Sequence, residues 1–208
     1  MAFTRNGYGQ VEPNQLSAQK TGQIYASLPL DEDVDVLQNG EFMYYSYADN
    51  KVTAQPTVEG QEPMLVFNEI KLYEEFWRTS LKDFAMIRVG DNYVTSKLAT
   101  EGYGDGALTE GATITPEHTE YPYRMDGIAP RMLKTNVGDI MTTNMVATDD
   151  TVTYAVKDIL VPTLDANSKT LVLTKKTDSD PVVGMAWVVA KVYTMPDGQP
   201  GLKLQRIQ

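Results

Sequence analysis

Apolar residues in this chain come in short runs broken by Gly, Pro, Asn and Asp, and alternation dominates over helical spacing. The clearest run, Met185-Ala-Trp-Val-Val-Ala-Lys-Val-Tyr-Thr-Met, predicts a long strand. Pro196-Asp-Gly-Gln-Pro-Gly predicts its turn, and Leu202-Lys-Leu-Gln-Arg-Ile alternates as the returning strand. Upstream, Gly22 to Leu28 reads as a short strand stopped by Pro29. Asn39-Gly40 is a hairpin signal ahead of the aromatic strand Glu41-Phe-Met-Tyr-Tyr-Ser-Tyr, because both turn residues tolerate positive φ. Ala48-Asp-Asn-Lys predicts a second turn, with Val52-Thr-Ala as the next strand. Pro56 to Pro63 is a loop, and Met64 to Tyr73 reads as one long strand. In Tyr73 to Asp83, the stripe Leu72, Phe76, Leu81 also allows a short helix, although both flanks read as β. Phe84 to Val89 returns to strand. Ile128–Leu133, Ile140–Met145, Val152–Val156 and Leu171–Thr174 are predicted as further short strands. The pattern predicts a mainly β fold: a barrel or sandwich of short antiparallel strands with an extended N-terminal arm and one long loop.

The arm is residues 1–21, polar and without either periodicity, leaving 22–208 as the β-rich domain with a possible sub-boundary near 127. Such a segment is either disordered alone or orders against a partner subunit. The long loop is 99–124, rich in Gly, Thr, Glu and Tyr, and a loop of that length in a compact domain suits a contact surface. Phe3, Tyr8, Val11 and Leu16 on the arm, and Tyr103, Tyr121 and Tyr123 on the loop, are the candidate partner-interface residues. They supply apolar or amphipathic side chains in otherwise polar segments.

Composition removes whole chemistries. With 208 residues the chain is long enough for a core without disulfides. A net charge of −10 disfavours general nucleic-acid binding and a polybasic membrane surface. No Cys and one His exclude thiol nucleophiles, zinc–thiolate sites and multi-His metal sites. The first residues carry no apolar signal-peptide core, and the longest apolar run, Val182 to Ala190, is interrupted by Gly184.

The remaining motifs fail on inspection. Asp31, Asp33 and Asp35 open like a calcium loop, but Val36 stands where Gly is needed and Phe42 where Glu is needed. Gly102, Gly104 and Gly106 lack the strand-to-helix context and the Lys-Ser/Thr of a phosphate cradle. His118 has no nucleophile elbow to serve. Glu74-Glu75 and Glu117/Glu120 are acidic pairs in a chain of 28 acids, and spacing does not show that any of them converge. Tyr44 falls on one strand face and Tyr45 and Tyr47 on the other, which suits a core face and a half-buried face, or a sugar-stacking platform. No catalytic residue, metal ligand or cofactor is expected, and the chain is not expected to be an enzyme.

Five stretches carry a resemblance. They are Gly9-Gln-Val-Glu-Pro-Asn-Gln-Leu-Ser-Ala-Gln, Leu37-Gln-Asn-Gly-Glu-Phe, Lys82-Asp-Phe-Ala-Met, Leu133-Lys-Thr-Asn-Val-Gly-Asp-Ile-Met-Thr-Thr-Asn and Lys191-Val-Tyr-Thr-Met-Pro-Asp-Gly-Gln-Pro. Through them the chain resembles virion structural proteins of tailed bacteriophages, in particular small β-rich capsid decoration proteins. The resemblance implies non-enzymatic cement on the capsid exterior, made in the host bacterial cytoplasm. It also implies binding to the major capsid protein and self-association, a trimer being favoured, with neither nucleic acid nor membrane as partner. A head–tail connector or tail component is the alternative within that class, and a carbohydrate-binding module the alternative outside it.

Overall fold

The computed structural model describes residues 3–5, 9–31, 33–34, 36–68, 72–75, 78–82, 86–88, 129–148, 152–176, 184–195 and 198–208. In chain order the elements are β1 Val11–Gln15, α1 Ser17–Thr21, β2 Ile24–Tyr25, β3 Val36–Gln38, β4 Phe42–Ser46, β5 Lys51–Thr53, β6 Met64–Val66, β7 Leu72–Glu75, β8 Arg78–Lys82, β9 Met86–Arg88, β10 Met132–Leu133, β11 Ile140–Thr143, β12 Ile159–Asp165, β13 Thr170–Lys175, β14 Trp187–Thr194 and β15 Pro200–Arg206. The fold is mainly β, as the alternation predicts.

An 11-stranded sheet follows the order β1-β11-β15-β14-β12-β13-β4-β6-β10-β2, with β5 added to β4. Among the described residues the ladders between its strands are all antiparallel. Laid flat, the path from β1 to β2 would span about 40 Å at the usual strand spacing. Yet residues 16–23, which include α1, are all that joins those two strands in sequence. Even fully extended, that connection reaches only about 30 Å. The sheet therefore curls until its ends approach, giving a half-barrel with α1 at the opening. Strands from before and after the 99–124 stretch interleave in it, β10 lying between β6 and β2.

Alternation sorts the side chains onto two faces. Phe42, Leu65, Leu133, Met141, Leu160, Leu173, Trp187, Val189, Leu202 and Leu204 form one buried cluster. Their strands lie far apart along the sheet, so they meet only on its concave side. The intervening residues Met43, Tyr45, Val66 and Met132 point to the convex side, where Leu28, Leu30, Val34 and Leu37 cover them. The covering segment is tied to β5: Asp31 N–H donates to Val52 O at 2.9 Å and Val52 N–H donates to Pro29 O at 2.8 Å. β4, β6 and β10 are thus buried on both faces, which is why their short runs are so densely apolar.

Several local expectations differ from the structure. Residues 1–21, read as lacking periodicity, contain β1 and α1, and β1 pairs with β11. Asn39-Gly40 is a turn, with Gly40 at φ +95°, but not a hairpin turn. β3 pairs with β9 while β4 joins the large sheet, so the turn passes the chain between sheets. The long strand expected from Met64 ends at Val66, and the ambiguous segment after Leu72 forms the β7–β8 hairpin in place of a helix. Residues 152–156 are not a strand. The strand lies further on, at β12, which Pro162 disguises in the sequence. Beyond Leu160, β12 is paired among the described residues only on its β13 side, so Pro162 lies where no N–H is required by them. The 99–124 stretch lies outside the described residues.

Candidate functional site

The most elaborate polar construction among the described residues is the seam between residues 9–17 and the barrel. Gly9 N–H donates to Gln38 Oε1 at 2.7 Å, and Gln10 N–H to Asn144 Oδ1 at 2.6 Å. Thr143 Oγ1 donates to Gln10 O at 2.7 Å and Thr142 Oγ1 to Asn14 Oδ1 at 2.6 Å. At the start of α1 the N-cap residue is Leu16, which has no side chain able to cap. Asp139 from the turn before β11 supplies the cap instead. Its carboxylate accepts from Ser17 N–H at 3.0 Å and Ser17 Oγ at 2.9 Å, and from Asn136 N–H at 2.9 Å. An acidic group at a helix start satisfies otherwise orphaned donors. The approach is close: a Cβ on Gly9 would sit 2.4 Å from Asn39 O, and one on Gly40 would sit 2.5 Å from Met145 Cβ. Side chains at either position would push the seam apart.

Three of the seven interface candidates lie in this region, turned inward. Phe3 is buried and meets the Tyr154 ring edge-on, 5.4 Å between centroids. Leu16 is buried in the main core, and Val11 is half-buried against it. In this conformation the chain's own barrel holds them, because its concave face and the β11 edge lie within the segment's reach. Tyr8, Tyr103, Tyr121 and Tyr123 lie outside the described residues, as do His118, Gly102, Gly104, Gly106, Glu117 and Glu120.

Next to the seam a cleft of about 240 Å³ opens over β12 and β13. Arg5, Glu41, Met145, Asp165, Ser168 and Val172 are among its lining residues. Glu41 is fully buried. Its carboxylate accepts from Gln38 N–H at 2.6 Å and from Thr170 Oγ1 at 2.9 Å. Burial nevertheless dominates, raising its pKa to about 7 against the opposing pull of those bonds and of Arg5. Burial likewise lowers the pKa of Arg5, with Glu41 and Asp165 opposing. One guanidinium N–H of Arg5 goes to Met145 Sδ at 2.8 Å, a weak acceptor. Arg5, Glu41 and Asp165 share this cleft, and their charges oppose the cost of burying Arg5, as Arg5 opposes that of burying Glu41. No spacing in the sequence signals Arg5, Glu41 and Asp165, which come from three separate parts of the chain. The one available hint was a lone carboxylate sharing an alternation face with Met43 and Tyr45.

The other candidates resolve individually. Asp31 pairs with Lys51 at 2.9 Å and accepts from Asp33 N–H, an ordinary acidic turn. That pairing raises the Lys51 pKa, chiefly through the hydrogen bond to Asp31. Among the described residues no group of three or more His, Cys, Asp or Glu is placed to hold a metal ion. Tyr44 packs half-buried against the main core, while Tyr45 is buried on the convex side with its hydroxyl on Ser27. Tyr47 alone of the three is exposed, edge-on to Tyr45. No helix among the described residues is long and apolar enough to cross a membrane. No protein-family model matches this sequence, and neither a curated protein nor a solved structure matches it.

Proposed function

We propose that the chain is a non-enzymatic structural protein of a tailed-phage virion, seated on the outer shell of the head as a decoration protein that stabilises it. The resemblance carries the reading, and one structural observation accords with it. Four of the five stretches that bear the resemblance meet at the seam. Gly9 bonds Gln38, Gln10 bonds Asn144, Ser17 bonds Asp139, and Asn144 Nδ2 donates to Gln199 Oε1 at 3.4 Å. The residues that look phage-like are spent on joining strands, not on assembling a reactive group.

In this reading the major capsid protein is the partner, and the chain self-associates, a trimer being favoured. The contact area comes from surfaces other than Phe3 and Leu16, and the Tyr-rich stretch 99–124 is the proposed supplier. The test is the copy number of this protein in purified virions, by quantitative mass spectrometry against the major capsid protein. A ratio near one, or a simple fraction of one, is expected of a surface lattice component. A number matching a single ring would move the protein to the neck or tail, and its absence from particles would overturn the virion reading.

A further inference from the structure

A curled sheet still has edges, and this molecule blunts most of them. β1 carries Pro13 and an irregular register between Glu12 and Gln15. β2 is two residues long, β5 is covered by the segment around Leu30, and the open side of β12 carries Pro162. Each is a recognised way to stop an edge from recruiting another strand. The outer half of β14 differs. Val189 is the last residue of β14 with neighbours on both sides: its N–H donates to Asp158 O and its C=O accepts from Lys157 N–H, while Leu204 of β15 lies opposite it on the other side. From Ala190 to Thr194 the strand continues, paired with β15 alone among the described residues. Ala190, Lys191, Val192 and Thr194 are exposed.

This free edge has a marked charge. A bulge at Ala190 brings Lys191 directly opposite Lys203 in the β14–β15 register. Like charges in opposed positions repel. Among the described residues neither lysine makes an ion pair, in a chain whose net charge is −10. The neighbouring pair, Val192 with Leu202, points to the other face, and Val192 is 48 % exposed there. The edge thus presents positive charge on one face and, on the other, the half-exposed Val192 beside the buried Leu202. A second copy of β14 added antiparallel would bring four lysines together, so the edge disfavours itself as partner. It suits an extended segment alternating acidic and apolar residues.

We propose that the free edge of β14, Ala190–Thr194, is a docking site for an extended acidic segment of another protein, added as a further antiparallel strand. Main-chain bonds to the edge supply attachment, and the Lys191–Lys203 pair selects carboxylates. The inference is independent of the virion reading.

The test uses the full chain, labelled with nitrogen-15, and the peptide acetyl-Glu-Val-Glu-Val-Glu-Val-Glu-amide followed by NMR. Saturable shifts of the amides of residues 190–194, with the Val11–Gln15 amides unmoved, are expected. The same peptide with Lys replacing Glu should bind about tenfold more weakly or not at all, since like charges across an interface repel. In the double variant Lys191→Glu, Lys203→Glu, checked for an unchanged spectrum elsewhere, the preference should invert. Absence of shifts at 190–194, equal binding of both peptides, or dimerisation through this edge without peptide would each overturn the proposal.

Discussion

The two ends of the chain make opposite use of strand pairing. The C-terminal hairpin β14–β15 announces itself by alternation, yet the outer half of β14 has one partner strand and exposed side chains. The N-terminal segment has no alternation of its own, yet it is laced into the barrel by bonds to Gln38, Thr142, Asn144 and Asp139. A strand advertises itself in sequence when its own side chains do the burying. It stays silent when it is held by polar side chains from distant parts of the chain, here Gln38 and, more than a hundred residues away, Asp139, Thr142 and Asn144.

Substitutions sharpen this contrast in order of size. Leu16→Ala should cost about 2–5 kcal/mol in urea unfolding, because Leu16 is 1 % exposed in the main core and its loss leaves a cavity. A cost under half a kcal/mol would mean that the N-terminal segment is not part of the folded unit.

The pH dependence of stability tests the same region. Folded Glu41 holds its proton up to about pH 7, whereas unfolded it releases near its ordinary value of 4.5. Between those values the folded chain binds more protons than the unfolded one, so stability should fall as pH rises and level off above about 7. The full fall is on the order of 3 kcal/mol. Glu41→Gln should flatten it, as read from urea midpoints at pH 5 and pH 8; an unaltered slope would remove Glu41 as its source.

Asp139→Ala should cost about 1–3 kcal/mol, since three donors from Ser17 and Asn136 lose their acceptor. Its effect on hydrogen exchange should concentrate in α1 and spare β14. Smallest of all, Val192→Thr on the exposed half of β14 should change stability by less than about 0.5 kcal/mol. A large loss there would show that the outer half of β14 is packed after all.

The legibility of the rest follows the same physics. The β4–β5 hairpin, the 56–63 loop and the β14–β15 hairpin were readable because turn residues and alternation lie within one window. Asn39-Gly40 misled because a turn signal specifies local φ and ψ, not which strands pair after it. Pro162 hid β12 because the sequence does not say which side of a strand is open. Phe3 and Leu16 stand out as apolar residues in a polar segment; that they pack into their own barrel depends on sheet curvature, which no local pattern encodes. The Arg5–Glu41–Asp165 cluster was invisible for the same reason.

The most direct test of the seam is native-state hydrogen exchange at the amides of Gly9, Gln10 and Ser17, whose acceptors are the side chains of Gln38, Asn144 and Asp139. If the segment is a structural part of the barrel, these amides should be protected at least about a hundredfold over an unstructured chain and should weaken together in Asp139→Ala. Exchange at the rate of an unstructured chain, with the barrel amides still protected, would contradict the account and return residues 1–21 to the status of a free arm.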